Sequence, residues 1–319
     1  MTRSIGWRWA VGFLAVLLTA AGPASASRSR ELGIDIRVGH TGWGQVSIAE
    51  IETALYAVAD ELVTVLPAKL TVPILVSRTR GSPVALYDRG PNGEYLVRLH
   101  ASGQGWPLYV YEFAHELCHV LSNHDVHVTD KRRNQWLEET LCETASLYAL
   151  ARVARAWELA PPSAVWSARA PRLRRFYDHL RAEENRRLPE GASFAAWMAA
   201  NEPSLRADPY LRPKNDLVAM RLLPLFERDP RRWRALAYLN LDPSDPVAPL
   251  SAYLANWNEK APVEYRGFIG ELRAALAVED GAATPAYPTV VADAPVAEPV
   301  NASAGPIRER AVTETEVVR

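Results

Sequence analysis

Two histidines four positions apart, with a glutamate directly after the first, stand in His115-Glu116-Leu117-Cys118-His119, and Glu139 follows twenty positions later. This pattern constrains the fold more than any other feature of the chain. On a helix, positions i and i+4 share one face, so His115 and His119 can present two imidazoles to a single ion. Glu116 lies between them and can reach a water on that ion, where a carboxylate serves as general base. The surrounding residues read as a helix. Trp106-Pro107 is a helix start, since proline in the first turn gives up no needed amide. Val110, Phe113, Leu117, Val120 and Leu121 recur at helical spacing, and Ser122-Asn123-His124 ends the pattern. The two histidines and Glu116 fall off that apolar stripe, on the side expected to face a cleft.

A catalytic zinc ion usually takes three protein ligands and leaves a fourth position for water. The third ligand must come from a separate element packed on the first helix. Trp136 to Ser146 supplies one, with Leu137, Leu141, Ala145 and Tyr148 as its stripe and Glu139, Cys142, Glu143 and Ser146 on a neighbouring stripe. Two carboxylates one turn apart repel unless a cation sits beside them.

Together these residues resemble the gluzincins, the metallopeptidases that bind zinc through two histidines and a glutamate. Nineteen residues separate His119 from Glu139, a spacing similar to that of thermolysin-like enzymes. The resemblance covers residues 94–150. It implies His115, His119 and Glu139 as zinc ligands, one ion per chain, and Glu116 as the general base. It also implies that Glu143 orients a ligand histidine from one turn beyond Glu139. Trp136-Leu137-Glu138-Glu139 looks like the ligand segment of the zinc aminopeptidases, with Glu138 where they usually carry asparagine. Glu138 therefore stands as a rival ligand, with Glu139 preferred for the acid at i+4. The implied reaction is hydrolysis of a peptide or protein substrate. For the group that steadies the oxyanion, Tyr210 in Asp208-Pro209-Tyr210-Leu211-Arg212 is the first candidate, with Tyr177 and His179 as rivals.

Compartment is read from residues 1–26. Arg3 and Arg8 precede an apolar run from Trp9 to Ala21, and Pro23-Ala24-Ser25-Ala26 follows, the arrangement of a secretory signal cleaved after Ala26. The expectation is a secreted or periplasmic protein with no membrane span in the mature chain. Without Arg3 and Arg8 the chain has 34 basic against 37 acidic residues, which does not suggest nucleic acid binding. Lys131-Arg132-Arg133, between the two helices, reads as a solvated loop. The only cysteines are Cys118 and Cys142, each three residues after an expected ligand. An oxidising compartment would favour a disulfide between them; two buried thiols that merely pack are the alternative.

The expected fold class is α+β: a zincin-like catalytic domain over residues 27–160, then a helical lobe over 161–278 and a disordered tail over 279–319. The first domain combines a small mixed sheet with the two zinc-site helices. Ile34, Ile36 and Val38 alternate as a strand, Ser47 with Glu50 forms a capping box for a helix to Leu66, and Leu70 to Val76 is a second strand. Val84–Tyr87 and Tyr95–Leu99 flank Gly90-Pro91-Asn92-Gly93 as a hairpin, with His100 at its end. Helices are expected over 171–187, 194–201, 209–227, 230–239, 250–257 and 263–278. Two other functions fit the same residues. One is a zinc amidase acting on cell-wall peptides; the other is an exported protein in which zinc only ties two helices together.

Overall fold

The computed structural model describes residues 27–278, apart from Leu66 and residues 130–131. The expected signal segment and tail lie outside the described residues. The architecture is α+β, with a small mixed sheet against a larger helical body. A short helix α1 (Arg28–Glu31) leads into β1 (Ile36–Val38) and α2 (Ile48–Leu62), then β2 (Ile74–Arg78), β3 (Val84–Ala85) and β4 (Tyr95–Leu99).

The sheet order is β1-β2-β4-β3. β1, β2 and β4 are parallel, and only β3 runs antiparallel, paired through Val84 with Arg98 and Ala85 with Val97. Alternation fixes the register: Ile36, Val38, Ile74, Val76, Tyr95, Val97 and Leu99 are all buried, so a one-residue slip of any strand would turn its apolar set outward. The capping box at Ser47 and Glu50 is formed in both directions. α2 ends at Leu62, before the expected Leu66, where Val63 turns extended. The expected strand from Leu70 begins only at Ile74. Residues Ala68–Thr71 form a 3₁₀ turn instead, and Pro73 holds the preceding residue extended and cannot extend that turn.

Two helices form the centre. α3 (Trp106–Leu121) and α4 (Gln135–Leu159) pack on each other, and nearly every residue of α3 and of the first half of α4 is buried. Around them lie α5 (Ala164–Ala182), α6 (Phe194–Ala207), α7 (Arg212–Arg228), α8 (Leu250–Lys260) and α9 (Val263–Ala275). A 3₁₀ segment, Pro230–Tyr238, occupies the place of an expected helix. Pro171, the first residue of an expected helix, lies inside α5, which begins seven residues earlier than expected, and α6 runs past the expected residue 201 through Pro203 to Ala207. Trp106, Trp157 and Trp166 stack at the junction of α3, α4 and α5, with Arg169 lying 4.0 Å from the Trp106 ring centre. Each fully buried large apolar side chain contributes about 1.5–3 kcal/mol, so this junction anchors the helical lobe to the central pair.

The two lobes are also joined by polar contacts. Lys69 donates to the Leu121 carbonyl (2.6 Å) and the Asn123 side chain (2.9 Å), satisfying the end of α3. Asn123, in the left-handed region at φ 59°, reaches across to the carbonyls of Ala237 and Leu239. No described helix is long and apolar enough to cross a membrane.

Candidate metal centre

α3 and α4 bring together the residues that the sequence singled out, although the ligand side of α3 is buried rather than open. His115, Glu116 and His119 are 3 %, 0 % and 5 % exposed, which leaves only a narrow approach to them. Glu139, one turn into α4, sets its carboxylate against both imidazoles. One oxygen lies 3.3 Å from His115 Nε2 and the other 3.6 Å from His119 Nε2. Two ring nitrogens and a carboxylate thus converge from two helices on one small volume. Cys142 stands beside them. His115, His119 and Cys142 form a buried group whose ligand atoms all lie within 4.8 Å of one another, close enough to hold a metal ion.

Glu138 and Glu139 are neighbours in sequence with different surroundings. Glu138 turns to the other side of His119, 2.7 Å from Nδ1, and its second oxygen accepts from Arg132 at 2.8 Å and Asn240 at 2.7 Å. Burial pushes the Glu138 carboxyl up, but the Arg132 guanidinium and the His119 hydrogen bond outweigh it and hold it at about 2. An ionised carboxylate can only accept, so Nδ1 of His119 must be the donor. That leaves Nε2 aimed at Glu139 and, in the metal-free chain, protonated: burial disfavours the imidazolium, yet Glu139 and Glu138 raise its pKa well above the ordinary histidine value. A metal ion would take the place of that proton. Both oxygens of Glu138 are occupied by donors, and its carboxylate faces His119 Nδ1 rather than the space between the two Nε2 atoms.

Glu143 does not take the orienting role expected of it. Its carboxylate receives the Tyr111 hydroxyl and pairs with Arg186 at 2.8 Å, while His115 Nδ1 has no hydrogen-bond partner. Burial raises the Glu143 pKa, and Arg186 followed by Arg212 brings it below the usual carboxylate range. Arg186 also reaches Asp216 at 3.5 Å, and Asn185 donates to Asp216 at 2.8 Å. The nearest charged partners of Glu143 are therefore arginines, which were absent from the sequence argument. Arg132, expected in a solvated loop, is instead a buried partner of Glu138. Its pairing partners are fixed by tertiary contacts that a local charge run does not reveal.

Glu116 has a different environment again. Neither of its oxygens makes a hydrogen bond, although it is fully buried. Burial raises its pKa, opposed by His115 and His119, with the backbone of Ala85 a lesser influence. One turn earlier, Glu112 accepts from the backbone amides of His100 (2.8 Å) and Ala101 (2.9 Å) and is pushed up to about 7 by burial.

A small pocket of about 40 Å³ opens beside His115 and Glu139, lined also by Glu143, Tyr210, Arg212, Asn215 and Asp216. Tyr210 lies in the turn before α7 rather than on the helix, with its hydroxyl accepting from Gln135 at 2.9 Å. The rivals are placed elsewhere: Tyr177 is bonded to Glu227, and His179 is in the last turn of α5. His100 binds the Gly81 carbonyl. Cys118 and Cys142 are free thiols, buried and in mutual contact, rather than the expected disulfide.

Comparison with family models, with curated protein sequences and with solved structures finds no match for this chain.

Proposed function

We propose that the chain is an exported zinc-dependent metallopeptidase, with His115, His119 and Glu139 as the ligands of one zinc ion. The observation that carries this reading is the convergence of two imidazole Nε2 atoms on the Glu139 carboxylate, with the unpaired, buried carboxylate of Glu116 beside them. The residues fit a cation. Two ring nitrogens and an acid share one pocket, and the buried Nε2 of His119 and carboxylate of Glu116 have no hydrogen-bond partner. A zinc ion held there would act as a Lewis acid and lower the pKa of a water toward about 7. Glu116, raised above its ordinary pKa by burial, would serve as the proton acceptor of the site and then as the donor to the leaving amine. Tyr210, whose oxygen already accepts from Gln135, has its own proton to donate to the developing oxyanion. The charged cleft from His115 to Asp216 receives the peptide. Export rests on the basic-apolar-small pattern of residues 1–26.

Metal analysis of the purified chain and an assay on a peptide library test this reading. Glu116→Gln is expected to keep one zinc per chain and lose hydrolysis by at least about 100-fold, since glutamine keeps the shape but accepts no proton. Full activity in that variant would overturn the mechanism.

One observation favours a second reading. Cys142 and both histidines form a buried group with ligand atoms within 4.8 Å of one another, so these three side chains could instead hold a purely structural ion. Cobalt substitution separates the two. A thiolate-to-cobalt charge-transfer band that disappears in Cys142→Ala supports the closed site; its absence supports an open one with a place for water.

A further inference from the structure

We propose that Asn240, seated in the helical lobe, is a positioning residue for His119, acting through Glu138. The inference rests on the reading of His119 as a metal ligand and adds to it a control from a part of the chain that touches neither the ion nor the cleft. Asn240 follows the 3₁₀ segment, 102 positions after Glu138, and is 6 % exposed. Its side-chain nitrogen lies 2.7 Å from Glu138 and 2.9 Å from the Ser122 carbonyl. Both of those neighbours can only accept, so chemistry requires the amide NH₂ at that end. The amide oxygen is then left to accept from the Tyr253 hydroxyl at 2.6 Å. Tyr253, on α8, is 2 % exposed. The result is an unbroken buried chain from Tyr253 through Asn240 and Glu138 to His119 Nδ1.

A glutamate carboxylate, carried on three rotatable bonds, has no orientation of its own. Three donors set the plane of Glu138: His119 on one oxygen, Arg132 and Asn240 on the other. Arg132 supplies charge but arrives on a long, flexible stem. Asn240 is short, and its backbone is held in the left-handed region at φ 60°, where asparagine and glycine are tolerated. It is therefore the rigid member of the set. By holding Glu138 against Nδ1 it fixes the His119 proton on that nitrogen and keeps Nε2 for the ion. Partners of ligand histidines that act in this way typically contribute 10- to 100-fold in metal affinity.

The test uses the full chain and two variants with matched backbones. Asn240→Gly keeps the left-handed conformation and removes the amide. Asn123→Gly does the same at φ 59° and removes lobe-to-lobe bonds to Ala237 and Leu239 without touching Glu138. Zinc dissociation constants are measured by competition with a chelator. In the cobalt-loaded protein, exchange of the His119 Nδ1 proton is followed by its shifted resonance. Asn240→Gly is expected to weaken zinc about 10- to 100-fold and to speed that exchange, while Asn123→Gly lowers the melting temperature with affinity unchanged within about threefold. Tyr253→Phe, a gentler change, is expected to weaken zinc in the same direction by a smaller factor. Equal affinity in the wild type and Asn240→Gly, or equal losses in the two glycine variants, would reduce Asn240 to a docking residue and overturn the proposal. A wild-type chain that holds no zinc would instead overturn the metal reading, and this inference with it.

Discussion

The junction between α4 and the helical lobe buries a carboxylate under one set of conditions, and the inner face of α3 buries two more under others. At the junction, Glu138 meets a guanidinium, an amide and an imidazole N–H, and its pKa falls to about 2. On α3, Glu112 has two backbone amides and no ion pair among the described contacts, and it rises to about 7. Glu116, on the same helix, has no hydrogen bond at all and is also raised. The three differ little in burial. Hydrogen bonds alone do not keep a buried acid ionised; a cation nearby does. Of the two raised acids, Glu116 is the one assigned to move a proton.

The difference can be broken most directly at Glu138. In Glu138→Ala, Arg132 would be left buried without its partner, and the metal-free protein is expected to lose about 3–5 kcal/mol in urea unfolding. A loss below about 1 kcal/mol would show that Arg132 finds water on its own and that the junction is not closed. The next effect is at Glu112. Its folded pKa of about 7 exceeds the ordinary carboxylate value of 4.5, so the folded chain holds this proton more tightly than the unfolded one. Its stabilising contribution is fully present below about pH 4.5 and is lost as pH rises through about 7, a change of about 3 kcal/mol. Glu112→Gln is expected to flatten that slope in unfolding measurements across the same window; an unchanged slope would assign it to another group. The smallest effect is at Glu116. Replacing its partnerless charge by a neutral amide in Glu116→Gln should stabilise the metal-free chain at pH 8 by about 1–2 kcal/mol. Destabilisation would mean that the carboxylate has a partner in solution.

What the sequence disclosed and what it hid follow from how far apart the interacting residues lie. Ser47 and Glu50 sit three residues apart and form the expected capping box. The turn at Gly90-Pro91-Asn92-Gly93 joins strands that pair as expected, though β3 is only two residues long. The His115/His119 pair and Glu139 meet because each helix periodicity is local and strong, and the helix pair is built from it. Arg186 with Glu143 and Asn240 with Glu138 escaped notice because no local period connects residues 43 and 102 positions apart. The spacing gives Glu143 a role by analogy, while its partners are Tyr111 on α3 and Arg186 in the turn after α5. A proline misleads in the same way: Pro171 opens the expected helix over 171–187, but tertiary packing carries α5 through it.

The partners of α4 also set an order of events during synthesis. Glu138 and Glu143 emerge with the first half of the chain, but Arg186 and Asn240 arrive much later. A nascent chain ending at α4 would hold these acids close together with half of their counter-groups still unmade. Such long-range pairings are slow to close and leave an early intermediate short of stability. The consequence is a timer: a hydrolytic centre of the kind proposed would gain its final geometry only when the last helices dock.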